Sequence, residues 1–156
     1  MSDLFAALIS PKTALSASTA KTILELTAPA NHRIKIVRWG LFFDEETGDA
    51  TPATPLLAEL LKSTVTGTGT AAVPILARPA SEVPQSTAKD TITVEGTLTD
   101  VYDSSVVNAQ TGYEVIFPVG QEVIVAGGAA IAIRVTPGAV VSTGGLNVVA
   151  KIWFEE

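Results

Sequence analysis

The chain has 156 residues, 17% of them charged, with a formal net charge of −6, one histidine and no cysteine. That length suits one domain, large enough to bury roughly 70% of its unfolded surface without staples. The missing cysteines exclude disulfides, thiolate metal sites and cysteine nucleophiles. A single histidine, His32, removes most zinc sites and leaves a histidine-dependent triad to one residue.

Ten basic residues are scattered singly from Lys12 to Lys151. With no basic stripe and an acidic balance, nucleic acid is a poor partner. No apolar run approaches the ~18 residues of a membrane span. Met1-Ser2-Asp3 lacks a basic n-region and Pro11 interrupts the following apolar stretch, which argues against a signal peptide. Ordinary domains carry about 25% charge, so this surface must be paved with Thr, Ser, Ala and Gly.

In chain order, residues 1–20 stand apart as an N-terminal arm. Leu4, Phe5, Leu8 and Ile9 are spaced for one or two helical turns ending before Pro11, and a small-residue stretch follows. Such an arm would dock on its own domain or on a neighbouring chain. From residue 21 onward the pattern is β. Residues 21–27 (KTILELT) form a short strand, and residues 33–44 (RIKIVRWGLFFD) the strongest one. Its apolar phase changes near Ile36 and Val37, which predicts a bulge or a strand with apolar neighbours on both faces.

Residues 44–55 read as an acidic, proline-containing loop. Leu56, Leu57, Leu60 and Leu61 fit a helical face, but residues 56–62 have strand length between Pro55 and a Ser/Thr/Gly run, and read as strand. Residues 63–72 predict a flexible hairpin end and 73–82 an irregular crossing. Strands follow over 88–97, 100–107, 112–117, 122–125, 129–136 and 146–154, separated by Gly- and Pro-containing turns. Eight or nine short strands over residues 21–156 predict an all-β, single-domain β-sandwich or jelly roll.

The chemical candidates are thin. Asp44, Glu45, Glu46 and Asp49 offer oxygen ligands for calcium but lack EF-hand spacing, and read as a solvated loop. Asp100 and Asp103 are not spaced for one strand face. His32 at a strand entrance has no nucleophile elbow beside it. Gly67-Thr68-Gly69 and Gly127-Gly128 are turn glycines, not a phosphate loop. Trp39 and Trp153 sit among apolar neighbours as core or interface residues, whereas Tyr102 and Tyr113 are the candidates for an exposed sugar platform. In the last strand one face carries Leu146, Val148, Ala150, Ile152 and Phe154, while the other carries Asn147, Val149, Lys151 and Trp153. A second face only half polar packs against the N-terminal arm or another subunit. No enzyme, cofactor or metal site is expected, and the candidate interface residues are Leu4, Phe5, Leu8, Ile9 and Trp153.

The segments KTILELTAPANHRIKIVRWGLFFD (21–44), GYEVIFPVGQEVIVAGG (112–128) and IAIRVT…LNVVAKIWFEE (131–156), in that order, resemble a family of small proteins encoded among the structural genes of tailed bacteriophages. The resemblance covers most of the chain after residue 20 and rests on block order, not on a catalytic motif. It implies a virion component, best a head decoration (cement) protein made in the host cytoplasm. Its partners would be the major capsid protein and copies of itself, as trimers or other small oligomers on the capsid surface. It brings no catalytic residues. A decoration protein gains avidity from many weak contacts in a repeated lattice, and residues 1–20 would be the arm that reaches a neighbour. Deleting residues 1–12 would then weaken attachment while leaving the domain folded. The alternative is a carbohydrate-binding β-sandwich on the virion exterior or tail, with a surface glycan as ligand.

Overall fold

The computed structural model describes residues 5–45, 53–72, 75–78, 83–141 and 145–156. No helix occurs among them, and thirteen strands do: β1 (Phe5–Ile9), β2 (Thr13–Leu15), β3 (Lys21–Thr27), β4 (Ile34–Glu45), β5 (Leu56–Val65), β6 (Thr68–Ala72), β7 (Ile75–Arg78), β8 (Thr87–Val94), β9 (Thr97–Val107), β10 (Tyr113–Ile116), β11 (Val123–Val125), β12 (Ala130–Thr136) and β13 (Leu146–Glu155). They form two antiparallel sheets, a β-sandwich. The first sheet runs β10-β4-β13-β1-β7, with β11 also on β4 and β2 also on β13. The second runs β6-β8-β3-β12-β5-β9.

Early strands pair with late ones in nested succession. β1 pairs with β13, β3 with β12, β4 with β11 and β10, β5 with β9, and β6 with β8. The chain thus follows the path of one long hairpin. A second set of pairs, β4 with β13, β5 with β12, β3 with β8 and β1 with β7, rolls that hairpin into two layers.

The core lies between the layers. β13 alternates strictly, turning Leu146, Val148, Ala150, Ile152 and Phe154 inward, as period-two side-chain geometry requires. On β4 the phase change near Ile36 and Val37 is a bulge: Trp153 faces Arg38, but the next residue, Phe154, faces Ile36. The extra residue brings Ile34 and Ile36 onto the same side as Trp39 and Leu41, and all four are buried. A bulge shifts parity by one, so both halves of the strand serve one core.

Two expectations need correction. The segment carrying Phe5, Leu8 and Ile9 is not helical; it is a strand between β13 and β7. Its Ala6 and Leu8 are fully buried, and pairing with β13 satisfies backbone groups that a two-turn helix would leave exposed. The strand total also exceeds eight or nine, because β1, β2, β6 and β7 are short, and β1, β2 and β7 find their partners far away in the chain. Residues 68–72 and 75–78, expected as a hairpin end and a crossing, are strands.

Candidate functional site

The outer face of the first sheet holds the strongest candidate surface. Residues directly opposite one another in an antiparallel pair share a face, so the register defines its rows. Trp153 lies between Arg38 and Ala7, Lys151 between Gly40 and Ile9, and Glu155 between Lys35 and Phe5. Val149 is beside Phe42. At the sheet edge Ile116 sits opposite Arg38 and Ile124 opposite Lys35. Ile9, Phe42, Ile116 and Ile124 are 42%, 39%, 65% and 44% exposed. These apolar side chains are not singly scattered; they belong to one continuous face, the pattern associated with interaction sites.

Cations cover part of this surface. The Arg38 guanidinium lies 4.3 Å from the centroid of the Trp153 ring, and Lys151 Nζ 4.6 Å from that of Phe42. A cation over an aromatic face contributes about 0.5–1 kcal/mol where solvent reaches it, and its alkyl stem shields apolar area. Arg38 Nε also donates to Glu114 Oε1 at 2.8 Å, and Lys35 Nζ to Glu155 Oε2 at 3.2 Å. Exposed ion pairs of this kind stabilise little. They set a carboxylate against Lys35 and Arg38, while Lys151 rests on the Phe42 ring.

Of the expected interface residues, Phe5, Ile9 and Trp153 meet on this face. Leu8 does not: it is fully buried in the chain's own core. Leu4 lies outside the described residues, as do Glu46 and Asp49 of the acidic loop. Asp44 forms an ion pair with Lys12. Among the described residues no group of three or more His, Cys, Asp or Glu could hold a metal ion.

The remaining candidates are spread apart. Trp39 is core, and its indole meets Tyr113 edge-on with ring centroids 5.2 Å apart. Tyr102 is 40% exposed on β9, where the register skips it between Asp103 opposite Leu60 and Val101 opposite Leu61. His32 is a loop residue whose Nε2 lies 3.1 Å from Glu156 Oε1. Asp100 pairs with Lys62 at 3.7 Å.

Several polar positions escape sequence reasoning because their partners are remote. Asp103 Oδ2 accepts from Trp39 Nε1 at 3.0 Å and from the Tyr113 hydroxyl at 3.3 Å. Burial raises the Tyr113 pKa, and the charge and hydrogen bond of Asp103 raise it further, against a smaller opposing bond to Ser105. Glu156 accepts from the amides of Gln85 at 2.7 Å and Ser86 at 3.1 Å, tying the end of β13 to the segment entering β8. Arg134 donates twice to Glu59, directly opposite on β5. These contacts are structural: none gathers a nucleophile, base and oxyanion donors around one point. The chain matches no protein-family model and no curated relative.

Proposed function

We propose that this protein is a non-enzymatic bacteriophage virion component, a head decoration protein that stabilises the capsid by burying the outer face of its first sheet. The observation carrying this reading is the convergence of Phe5, Ile9, Phe42 and Trp153, with Ile116 and Ile124 at the edge, on that one face. The resemblance of the block order to that of tailed-phage structural proteins supports the same role. Its partners are copies of itself, arranged as a trimer, and the major capsid protein. The nested pairing of β3 with β12, β4 with β11 and β10, β5 with β9 and β6 with β8 supports a jelly-roll topology, a rigid two-sheet body suited to lattice contacts.

The test is a paired substitution, Ile9→Asp with Phe42→Asp. Sedimentation velocity is expected to show an oligomer for the unaltered chain and a folded monomer for the variant. A reconstruction of particles carrying the unaltered protein is expected to show it at repeated capsomer joints. Equal assembly and decoration by both proteins would refute the reading. A second reading, a carbohydrate-binding sandwich, draws on the exposed Tyr102 of β9. It requires glycan-array binding that Tyr102→Ala abolishes.

A further inference from the structure

The outer face of the second sheet is partly covered by the chain's own turns. Glu25 on β3 stands opposite Lys89 of β8 and Ala132 of β12. It points away from the core that Leu24 and Leu26 enter, yet it is only 1% exposed. Gly67, in the β5–β6 turn, covers it and donates its amide to both carboxylate oxygens, at 3.1 and 2.9 Å. The Ser63 hydroxyl donates to the same carboxylate at 3.4 Å. Lys89 Nζ donates to the Gly67 carbonyl at 2.8 Å.

The β8–β9 turn lies against the first. A Cβ on Gly96 would fall 2.3 Å from the Val65 carbonyl oxygen and 2.7 Å from Gly67 N, so the two turns touch backbone to backbone. Pairing between β3 and β8 runs only as far as Leu24 opposite Asp90. The next residue, Thr91, has φ of +47°, a left-handed conformation that a β-branched residue adopts only under strain. Beyond that kink β8 leaves β3, whose next amide, Thr22 N, is capped by the Glu95 carboxylate, 3.1 Å from each oxygen. Lys21 Nζ donates to the Ile92 carbonyl at 2.7 Å.

The two turns therefore lie on the sandwich like a strap, held by polar contacts and one buried apolar side chain, Ile92. Val65 and Val94 beside it are mostly exposed. The closed strap carries costs that opening would relieve. Thr91 is strained, the Thr22 hydroxyl is buried without a hydrogen-bond partner, and a carboxylate is fully desolvated. We infer that the β5–β6 and β8–β9 turns open as one unit, hinged at Thr91 and latched by Glu25, while both sheets stay folded. Opening uncovers the β3 edge at residues 21–23, which β8 leaves unpaired. Units with few buried apolar contacts are the ones that open below the global unfolding free energy.

Native-state hydrogen exchange of the whole chain tests this. The amides of Thr22 and Gly67 are expected to share one opening equilibrium that is insensitive to low denaturant, while amides of β4, β12 and β13 exchange only on global unfolding. Glu25→Gln is expected to speed exchange at Thr22 and Gly67 by roughly tenfold to a hundredfold, the worth of a hydrogen bond to a charged group. Thr91→Asn, which tolerates the left-handed region, is expected to slow it by roughly fivefold or more. Exchange of Gly67 at the global rate in the unaltered protein, or Glu25→Gln and Thr91→Asn moving every amide in parallel, would overturn the inference. The unaltered protein and the Thr91 variant decide it even if the Glu25 variant fails to fold.

Discussion

Trp39 and Asp103 are joined across the sandwich: the indole N–H of the first sheet's β4 donates to a carboxylate on the second sheet's edge strand, at 3.0 Å. The indole is fully buried, so Asp103 supplies the acceptor that its N–H would otherwise lack. Asp103→Ala leaves both Trp39 and Tyr113 without this partner, and is expected to cost about 2 to 3 kcal/mol. Urea unfolding followed by tryptophan fluorescence measures the loss. A cycle with Tyr113→Phe apportions it between the two donors, and a loss under about 0.5 kcal/mol would mean that water substitutes for the carboxylate.

Tyr113 is expected to ionise above the ordinary tyrosine value near 10, because burial and the neighbouring Asp103 both disfavour phenolate. The folded state therefore holds this proton more tightly than the unfolded chain. That stabilisation is complete below pH 10 and disappears as the pH climbs through the raised value. Absorbance at the phenolate band should show a late-titrating component that Tyr113→Phe removes and Asp103→Asn moves down. An unchanged titration in Asp103→Asn would leave burial as the whole cause.

Adjacent residues of β1 separate folding from assembly. Leu8→Ala opens a cavity in the core and is expected to cost about 2–5 kcal/mol. Ile9→Ser alters a side chain that faces solvent in the single chain, and below the concentration of assembly its cost is expected to stay within about 0.5 kcal/mol. Deleting residues 1–12 removes a strand seated between β13 and β7. The truncated chain should therefore melt well below the full one instead of folding as a domain that has lost its arm. Calorimetry of the three variants distinguishes these outcomes.

Two glycines fail for opposite reasons. A methyl on Gly96 meets backbone atoms that cannot yield, and Gly96→Ala is expected to cost about 1–3 kcal/mol by overpacking. Gly128 has open space around it but φ of +76°, so Gly128→Ala costs about 1–2 kcal/mol through backbone strain alone. Only Gly96→Ala should also speed amide exchange at Gly67.

What could be read in advance follows the range of the forces involved. The alternation of residues 146–154 and the phase change at Ile36 and Val37 are local patterns, and they anticipated the core face of β13 and the bulge in β4. The same alternation marked Trp153 as outward-facing. β1 was unreadable as a strand because five residues, FAALI, carry no decisive period, and its partners begin some 70 and 140 positions away. Asp103, Glu156 and Glu25 were equally hidden. Each is an ordinary surface acid by composition, and only a contact made across the fold gives it a role. Phe42, Ile116 and Ile124 could have been added to Phe5, Ile9 and Trp153 only once register placed them on a common face.

The position of β13 between β4 and β1 sets a timetable for the newborn chain. Both neighbours are translated long before it: β4 ends at Glu45 and β13 starts at Leu146. At roughly 5–20 residues per second, these two apolar strands wait about 5–30 seconds on the ribosome without the partner that joins them. The second sheet waits in the same way, because β12, which joins β3 to β5, begins only at Ala130. Both layers are completed late, and until then β1 and β4 stand without the strand that joins them.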